Sequence, residues 1–327
     1  MADILSLFKS TDAYEILCSE KRGRMLSHAY LVLCADEKFM KEYLKIVAQI
    51  ILCKSGETCG TCRTCKLIAE ENFADVTFYP QKGESVLTED VNDLIEKSYI
   101  KPLEGEKRIF VINGAQTMNP SAQNKLLKTL EEPPANVHII LGATSEFSLL
   151  PTVLSRVKKL PVPPFSFDKL FNALAKECPD SERLANALNT GDGTVGKALA
   201  LYSDENLAEI IDLSLETLTE MKSSKELLDY SVKISSAVKD MNLFYSVTEL
   251  LLRDMLCLKE GKDGLVVNKN KAERLRNAQG YTRGAIIHAL EKTEEAIKRK
   301  KFNANATMLL EWLLFQILEG KYKWQKL

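Results

Sequence analysis

The stretch HAYLVLC, from His28 to Cys34, gives the clearest indication of the fold class. It is a short, mostly apolar run, which is typical of a strand buried on both faces. The next segment, Glu37 to Leu52, carries apolar residues at helical spacing. A buried strand followed at once by a helix indicates the first unit of an α/β protein with a parallel sheet.

The same alternation continues through the first half of the chain. We predict two further buried strands and two short ones, at RIFVIN (108–113), VHIILGAT (137–144), DVTFYP (75–80) and KKLPV (158–162). A helix is expected to begin near Pro120 and to stop at Pro133–Pro134, because proline fits a first helical turn and cannot continue a helix. Together these elements predict a parallel sheet covered by helices.

A proline-rich segment, PVPPFSF (161–167), marks the end of this core. Beyond it the sequence has few strand signals and many helical ones, such as TMLLEWLLFQIL (307–318). The predicted fold class is therefore α/β plus all-α. We expect three domains, at residues 1–163, 164–205 and 206–327.

Composition excludes some classes of protein. The chain is 45% hydrophobic and 27% charged with a formal net charge of -1, which gives no reason to expect a dedicated nucleic-acid binder. No stretch reaches the roughly 20 apolar residues that span a bilayer, and the first residues lack the features of a signal peptide. We therefore predict a cytoplasmic protein with no membrane contact. Its eight cysteines then need a reason other than disulfides.

Four of these cysteines form a compact motif of the pattern C-x5-C-x2-C-x2-C. Its members are Cys53, Cys59, Cys62 and Cys65. Zn²⁺ binds four thiolates in a tetrahedron, and C-x2-C turns let two thiolates converge on one ion. Because four protein ligands leave no open position, such a zinc site would be structural. The alternatives are chance clustering of free thiols or a redox pair. The remaining cysteines lie in apolar contexts and are expected in the core: Cys18, Cys34, Cys178 and Cys257.

The turn after the first strand, CADEKFMK (34–41), stands where α/β proteins usually bind nucleotide phosphates. A working phosphate loop reads G-x-x-x-x-G-K-[ST], with glycines for close backbone approach, a lysine for charge and a hydroxyl for magnesium. Here the two glycines, the lysine and the hydroxyl residue are replaced by Cys34, Phe39, Met40 and Lys41, respectively. Asp36 and Glu37 would also repel phosphate. We predict that this chain binds no ATP. The alternative is a divergent but active nucleotide site.

The end of the strand RIFVIN indicates the same loss. An ATPase ends this strand with Asp-Glu, which holds magnesium and orients water. This chain has Asn113 and Gly114 there, and neither side chain performs either task. Two separate losses of one chemistry support each other.

Several motifs together resemble those of the bacterial clamp-loader proteins of the AAA+ class, which include the tau/gamma ATPase and its delta-prime relative. They are the cysteine motif and the segments SHAYL (27–31), NKLLKTLEEPP (124–134), LLPTVLSR (149–156) and GTVGKAL (193–199). The lost phosphate loop and acidic strand end match the delta-prime type, and the cysteine motif argues against the delta type. The resemblance implies an AAA+ RecA-like core with a zinc module at about 53–65, a small helical lid domain and a C-terminal helical collar domain.

The resemblance also implies a role for Arg156. In this family a Ser-Arg-Cys motif carries an arginine finger that reaches a neighbouring subunit's ATP. Ser155 and Arg156 match the motif, whereas Val157 replaces its cysteine. We expect Arg156 to be the finger and Ser155, its motif neighbour, to be a local structural cap. The alternative is a surface arginine that pairs with a nearby acid.

The function that the resemblance implies is that of a non-hydrolysing subunit of the DNA polymerase III holoenzyme. It would assemble with delta and tau/gamma subunits in the nucleoid-associated replisome of the cytoplasm and help to load the sliding clamp onto primer-template DNA. No intrinsic catalytic activity is expected. Two alternatives remain, namely an autonomous AAA+ ATPase and a zinc-dependent DNA-binding module.

Overall fold

A computed structural model describes the backbone of residues 3–55, 57–301 and 305–323, with all side chains there except that of Lys301. Within this part of the chain five strands form: β1 (Ala29–Cys34), β2 (Val76–Tyr79), β3 (Arg108–Asn113), β4 (Val137–Ala143) and β5 (Lys158–Val162). Each lies within or at one of the five segments that the apolar pattern predicts.

The strands form one sheet in the order β2-β3-β4-β1-β5, and every pair is parallel. The first strand in sequence is therefore an inner strand. Tyr30 pairs with Ile140 on one side and with Lys158 on the other. Tyr30 and Leu31 are fully buried, as expected of a strand with helices on both faces. The predicted parallel α/β core is confirmed.

Eight helices accompany the sheet along the chain: α1 (Ile4–Lys9), α2 (Asp12–Arg22), α3 (Met40–Leu52), α4 (Arg63–Ala69), α5 (Thr88–Ser98), α6 (Pro120–Glu131), α7 (Pro151–Leu154) and α8 (Phe167–Leu174). The bounds of α6 follow from local chemistry. The Asn119 side chain accepts a hydrogen bond from the Ala122 N–H at 2.8 Å, and Pro120 occupies the first turn. The helix ends at Glu131, shortly before Pro133.

The described residues beyond α8 contain no strand, and their regular structure is helical. They form α9 (Ser181–Thr190), α10 (Val195–Ser203), α11 (Leu207–Glu220), α12 (Ser224–Ala237), α13 (Met241–Lys259), α14 (Ala272–Arg276), α15 (Arg283–Lys301) and α16 (Ala306–Lys323). The predicted all-α part is thus confirmed. No described helix is both long enough and apolar enough to cross a bilayer.

The chain divides into two compact units. The first comprises Met1–Pro179 with Asp192–Lys197, and the second comprises Asp180–Gly191 with Ala198–Leu327. Each has its own apolar core. The core of the first unit centres on the sheet, and that of the second includes fully buried leucines of α16. Residues 164–205, predicted as a separate lid, are divided between these units, so the three-domain division stays a prediction.

Candidate functional site

The four predicted zinc ligands lie together at the start of α4. Cys53 follows the last residue of α3, Cys62 caps α4, and Cys65 lies in its first turn. The Cys53 Sγ atom is 3.6 Å from Cys59 Sγ and 4.0 Å from Cys62 Sγ, and Cys59 and Cys65 Sγ are 3.9 Å apart. All four sulfur atoms lie within 4.8 Å of one another.

This spacing fits a tetrahedral metal site. With a zinc–sulfur bond of ~2.3 Å, a regular tetrahedron has sulfur–sulfur edges of ~3.8 Å. The three sulfur–sulfur distances given above range from 3.6 to 4.0 Å and therefore bracket that edge. The four cysteines could hold a metal ion such as zinc.

A buried polar contact supports the cluster from α3. The Gln49 side-chain amide donates to the Cys65 carbonyl at 2.9 Å, and the Thr58 hydroxyl donates to Gln49 Oε1 at 3.0 Å. Both hydrogen bonds are buried, so they tie the cysteine loop to the helix that precedes it. They join residues 16 and 9 positions apart, respectively.

The thiols of the cluster differ in acidity. Hydrogen bonds from the backbone N–H of Cys62 and then of Thr61 lower the pKa of Cys59 to about 5. Burial raises the pKa of Cys65 to about 12. A bound cation would favour the thiolate form of both, because metal ligation requires deprotonated sulfur.

In the turn after β1, the Asp36 carboxylate accepts the backbone hydrogen bonds. Asp36 is buried, and its Oδ1 accepts a hydrogen bond from the Phe39 N–H at 3.2 Å. Its Oδ2 accepts the N–H of Gly196, in the first turn of α10, at 2.9 Å. A Cβ added at Gly196 would lie 2.5 Å from Asp36 Oδ1, so only glycine fits there without a shift. An anion at a helix N-terminus is electrostatically favourable, and here the protein supplies it.

The side chains of two other residues of this turn, Met40 and Lys41, are engaged in contacts within the protein. Met40 is buried and packs against Gly142 of β4. Lys41 forms an ion pair with Glu71 at 2.7 Å. Met40 stands at the position of the phosphate-loop lysine and carries no charge for a phosphate. Lys41 stands at the position of the hydroxyl residue and has no hydroxyl for magnesium.

A cavity of about 490 Å³ lies beside this turn, where β2 and β3 end. Lys41 and Asn113 both line it, so the structure brings together two positions at which the sequence predicts lost ATPase chemistry. Glu37 and Glu84 line the same cavity. Gly114 turns the chain away from β3 with a φ of 82°, a conformation that favours glycine.

Arg156 follows α7 and is held by three acceptors. Its Nη2 forms an ion pair with Glu131 Oε1 at 2.5 Å. Its Nη1 donates to the Thr152 carbonyl at 2.7 Å and to the Ser155 hydroxyl oxygen at 3.0 Å. One third of the Arg156 side chain remains exposed. This pairing with a nearby acid is what the alternative interpretation of Arg156 predicts, and the role as a finger stays a prediction.

Three separate sequence motifs meet at this arginine. His28 of SHAYL, Leu130 and Glu131 of the LEEPP segment, and Ser155 with Arg156 line one shallow cleft of about 510 Å³. Each of the three motifs is recognisable in the sequence, but no local pattern indicates that they share a surface.

Comparison with known proteins agrees with these motifs. The family model described as DNA polymerase III, delta subunit, matches residues 9–166. A DNA polymerase III subunit delta' from Bacillus subtilis is 26% identical over 304 residues, which are 90% of this chain and 92% of the relative. The chain is therefore similar to DNA polymerase III delta-prime subunits over most of its length.

Other matches are to proteins named as tau/gamma or gamma-related subunits. A DNA polymerase III subunit tau/gamma from Haemophilus influenzae is 31% identical over 143 residues, 43% of this chain, and the match spans only 21% of that protein. A crystal structure of a gamma-subunit-related protein from Thermotoga maritima aligns with a TM-score of 0.45 at 18% identity, covering 93% of this chain and 99% of that one.

Two features of the site could not be predicted from the sequence. The contact between Asp36 and Gly196 joins positions 160 residues apart, although the glycine of the GTVGKAL segment was a signal for close packing. The acid that pairs with Arg156 was not predicted either. The LEEPP segment contained it, but no local pattern linked it to Arg156.

Proposed function

We propose that this chain is a clamp-loader subunit that does not hydrolyse ATP itself and supplies Arg156 to the ATP site of a neighbouring subunit. The neighbours would be delta and ATP-binding tau/gamma subunits, and the assembly would load the sliding clamp onto primer-template DNA. The observation that carries the proposal is the buried Asp36 carboxylate in the turn where a phosphate would lie.

Electrostatic repulsion would oppose ATP binding at the turn after β1. A triphosphate behind β1 would meet the carboxylate of Asp36, which already accepts two backbone N–H groups of the kind that phosphates use. Lys41, one of the two lysines of the turn, is paired with Glu71. A nucleotide would therefore gain little countercharge and lose the backbone donors.

The chemistry of the guanidinium supports a role of Arg156 as an arginine finger. A guanidinium is always charged and binds phosphate oxygens through two N–H groups at once. An arginine finger can accelerate hydrolysis at its site by ~10³–10⁵-fold. Arg156 is partly exposed on an open cleft, which suits contact with a second subunit.

The four cysteines would hold a structural zinc ion. The ion would neutralise converging thiolates and fold a loop that has few apolar residues of its own. Cys53, Cys59, Cys62 and Cys65 would be its complete ligand set, which leaves no position for catalysis.

Equilibrium binding of labelled ATP to the isolated chain tests the first half of the proposal. We expect no saturable binding at micromolar concentrations, with an ATP-binding tau/gamma subunit as the positive control. Micromolar affinity would instead favour an autonomous ATPase.

Substitution of the arginine tests the second half. In a loader assembled with delta and tau/gamma subunits, Arg156→Ala should leave assembly intact and reduce DNA-stimulated ATP hydrolysis. Arg156→Lys keeps the charge but loses the planar fork, so it should restore only part of the rate. Unchanged turnover in Arg156→Ala would remove the finger role.

A further inference from the structure

We propose that Glu131 restrains Arg156 in the free subunit and releases it to the neighbouring subunit's nucleotide on assembly. The inference rests on the proposed function of Arg156 and adds a second residue to that site. It would make the availability of the arginine depend on a competition between a carboxylate and a phosphate.

The donors of the guanidinium support this division of roles. Arginine has five N–H hydrogens. Nη1 donates to the Thr152 carbonyl and to the Ser155 hydroxyl oxygen, and Nη2 forms an ion pair with Glu131. Within the part of the chain that the structure describes, the Nε hydrogen has no hydrogen-bond acceptor. The arginine is thus oriented and still has a donor to offer.

The three acceptors differ in charge. Thr152 and Ser155 present neutral oxygens, and both lie on or next to α7, within four residues of the arginine. They can fix the guanidinium without cancelling its charge. Glu131 presents a carboxylate from α6, which offsets the charge that a phosphate would need. It is therefore the acceptor that must leave when a phosphate arrives.

The position of Glu131 in its helix also supports its release from Arg156. It is the last residue of α6, where the helix dipole disfavours an acidic side chain. A residue that violates a local preference is expected at functional sites. Its side chain is 48% exposed on the cleft, so it can turn away into solvent at small cost.

The experiment uses the assembled loader and compares Glu131→Gln with wild type. Because an exposed ion pair shifts an equilibrium by about 1.5-fold to 5-fold, we expect kcat/KM for ATP to rise by a factor in that range. The rise should shrink as ionic strength increases, because salt weakens the pair in the wild type but not in the variant. Glu132→Gln, the same change of charge one residue later, should stay at the wild-type value.

A double variant separates the inference from the proposed function. Glu131→Gln should have no effect when combined with Arg156→Ala, since the released residue is then missing. If Arg156→Ala alone is fully active, the proposed function fails. If Arg156→Ala is impaired while Glu131→Gln lowers kcat/KM or leaves it unchanged, the restraint is wrong and the finger role survives. Glu131→Ala, with co-purification of the partners as a check of folding, must agree in direction.

Discussion

At Asp36 a single carboxylate joins the turn after β1 to the first turn of α10, 160 residues later. It accepts one backbone N–H from each side of that junction and is almost fully buried. A buried carboxylate is stable only when its hydrogen bonds are made. Residue 36 thus joins residues 192–197 to the turn after β1, and under the proposed function it would also disfavour ATP at that turn.

The first prediction concerns this contact. Gly196→Ala places a Cβ 2.5 Å from Asp36 Oδ1 and should lower the free energy of unfolding by about 1–3 kcal/mol. Asp36→Ala removes the atom that clashes, so the double variant should be less destabilised than the sum of the two single variants. Urea unfolding of all four proteins measures the coupling. Additive effects would show that the two residues do not interact.

A second residue, His138 on β4, predicts a dependence of stability on pH. It is buried, and its Nδ1 lies 2.8 Å from the Ser27 carbonyl. Burial lowers its pKa to about 4, so between pH 6.5 and 4 the unfolded chain binds the proton that the folded chain does not. Stability should therefore fall with falling pH, by about 2 kcal/mol from pH 7 to pH 5 through this residue.

His138→Asn keeps a donor for the Ser27 carbonyl and cannot titrate in this range. Urea unfolding at stepwise pH should give a shallower decline for this variant than for wild type between pH 7 and pH 5. Parallel curves for the two proteins would refute the assignment of this slope to His138.

At the scale of elements, the loop between α3 and α4 depends both on the spacing of its cysteines and on packing against α3. The spacing of the cysteines brings C-x2-C pairs together, and N–H groups of Cys62 and Cys65 point at sulfur atoms three residues earlier, at 3.3 and 3.4 Å. Gln49 and Thr58 then join the loop to α3. A metal ion would complete an arrangement that has little apolar surface of its own.

The third prediction concerns the removal of a ligand. Purified protein should carry one zinc ion per chain, measured by mass spectrometry of metals. Cys65→Ser should lose the ion and increase amide exchange in α4, because the helix start would lose its anchor. Cys178→Ser changes a buried cysteine outside the cluster and should retain the metal. Full zinc content in Cys65→Ser would exclude the four-sulfur site.

At the scale of the whole molecule, charge balance restricts the partners. The chain has 44 Lys and Arg against 45 Asp and Glu, so no net positive charge draws it to nucleic acid. A subunit that acts on DNA through an assembly does not need such a charge, whereas an independent DNA-binding module does.

The fourth prediction follows from this balance. The isolated chain should bind primer-template DNA no more tightly than the ~10⁻⁴–10⁻⁶ M of non-specific binding, with a shallow dependence on salt. Fluorescence anisotropy across a range of salt concentrations measures both quantities. Tight binding with a steep salt dependence would revive the zinc-dependent DNA-binding alternative.

Features that depend on neighbouring residues could be predicted from the amino-acid sequence. Apolar runs such as RIFVIN predicted strands, Pro120 and Pro133 bounded α6, and the cysteine spacing predicted the cluster. These predictions succeed because strand burial, helix termination and short chelating turns are set by residues within a few positions of one another.

The tertiary structure alone shows which distant residues contact one another. It placed β1 between β4 and β5, brought Gly196 to Asp36 and set Glu131 beside Arg156. None of these pairs has a local signature, because each depends on how packed elements bring their ends together. The periodicity of apolar residues indicates which face of a helix or strand is buried. Which other helix or strand packs against that face depends on the packing of the whole core.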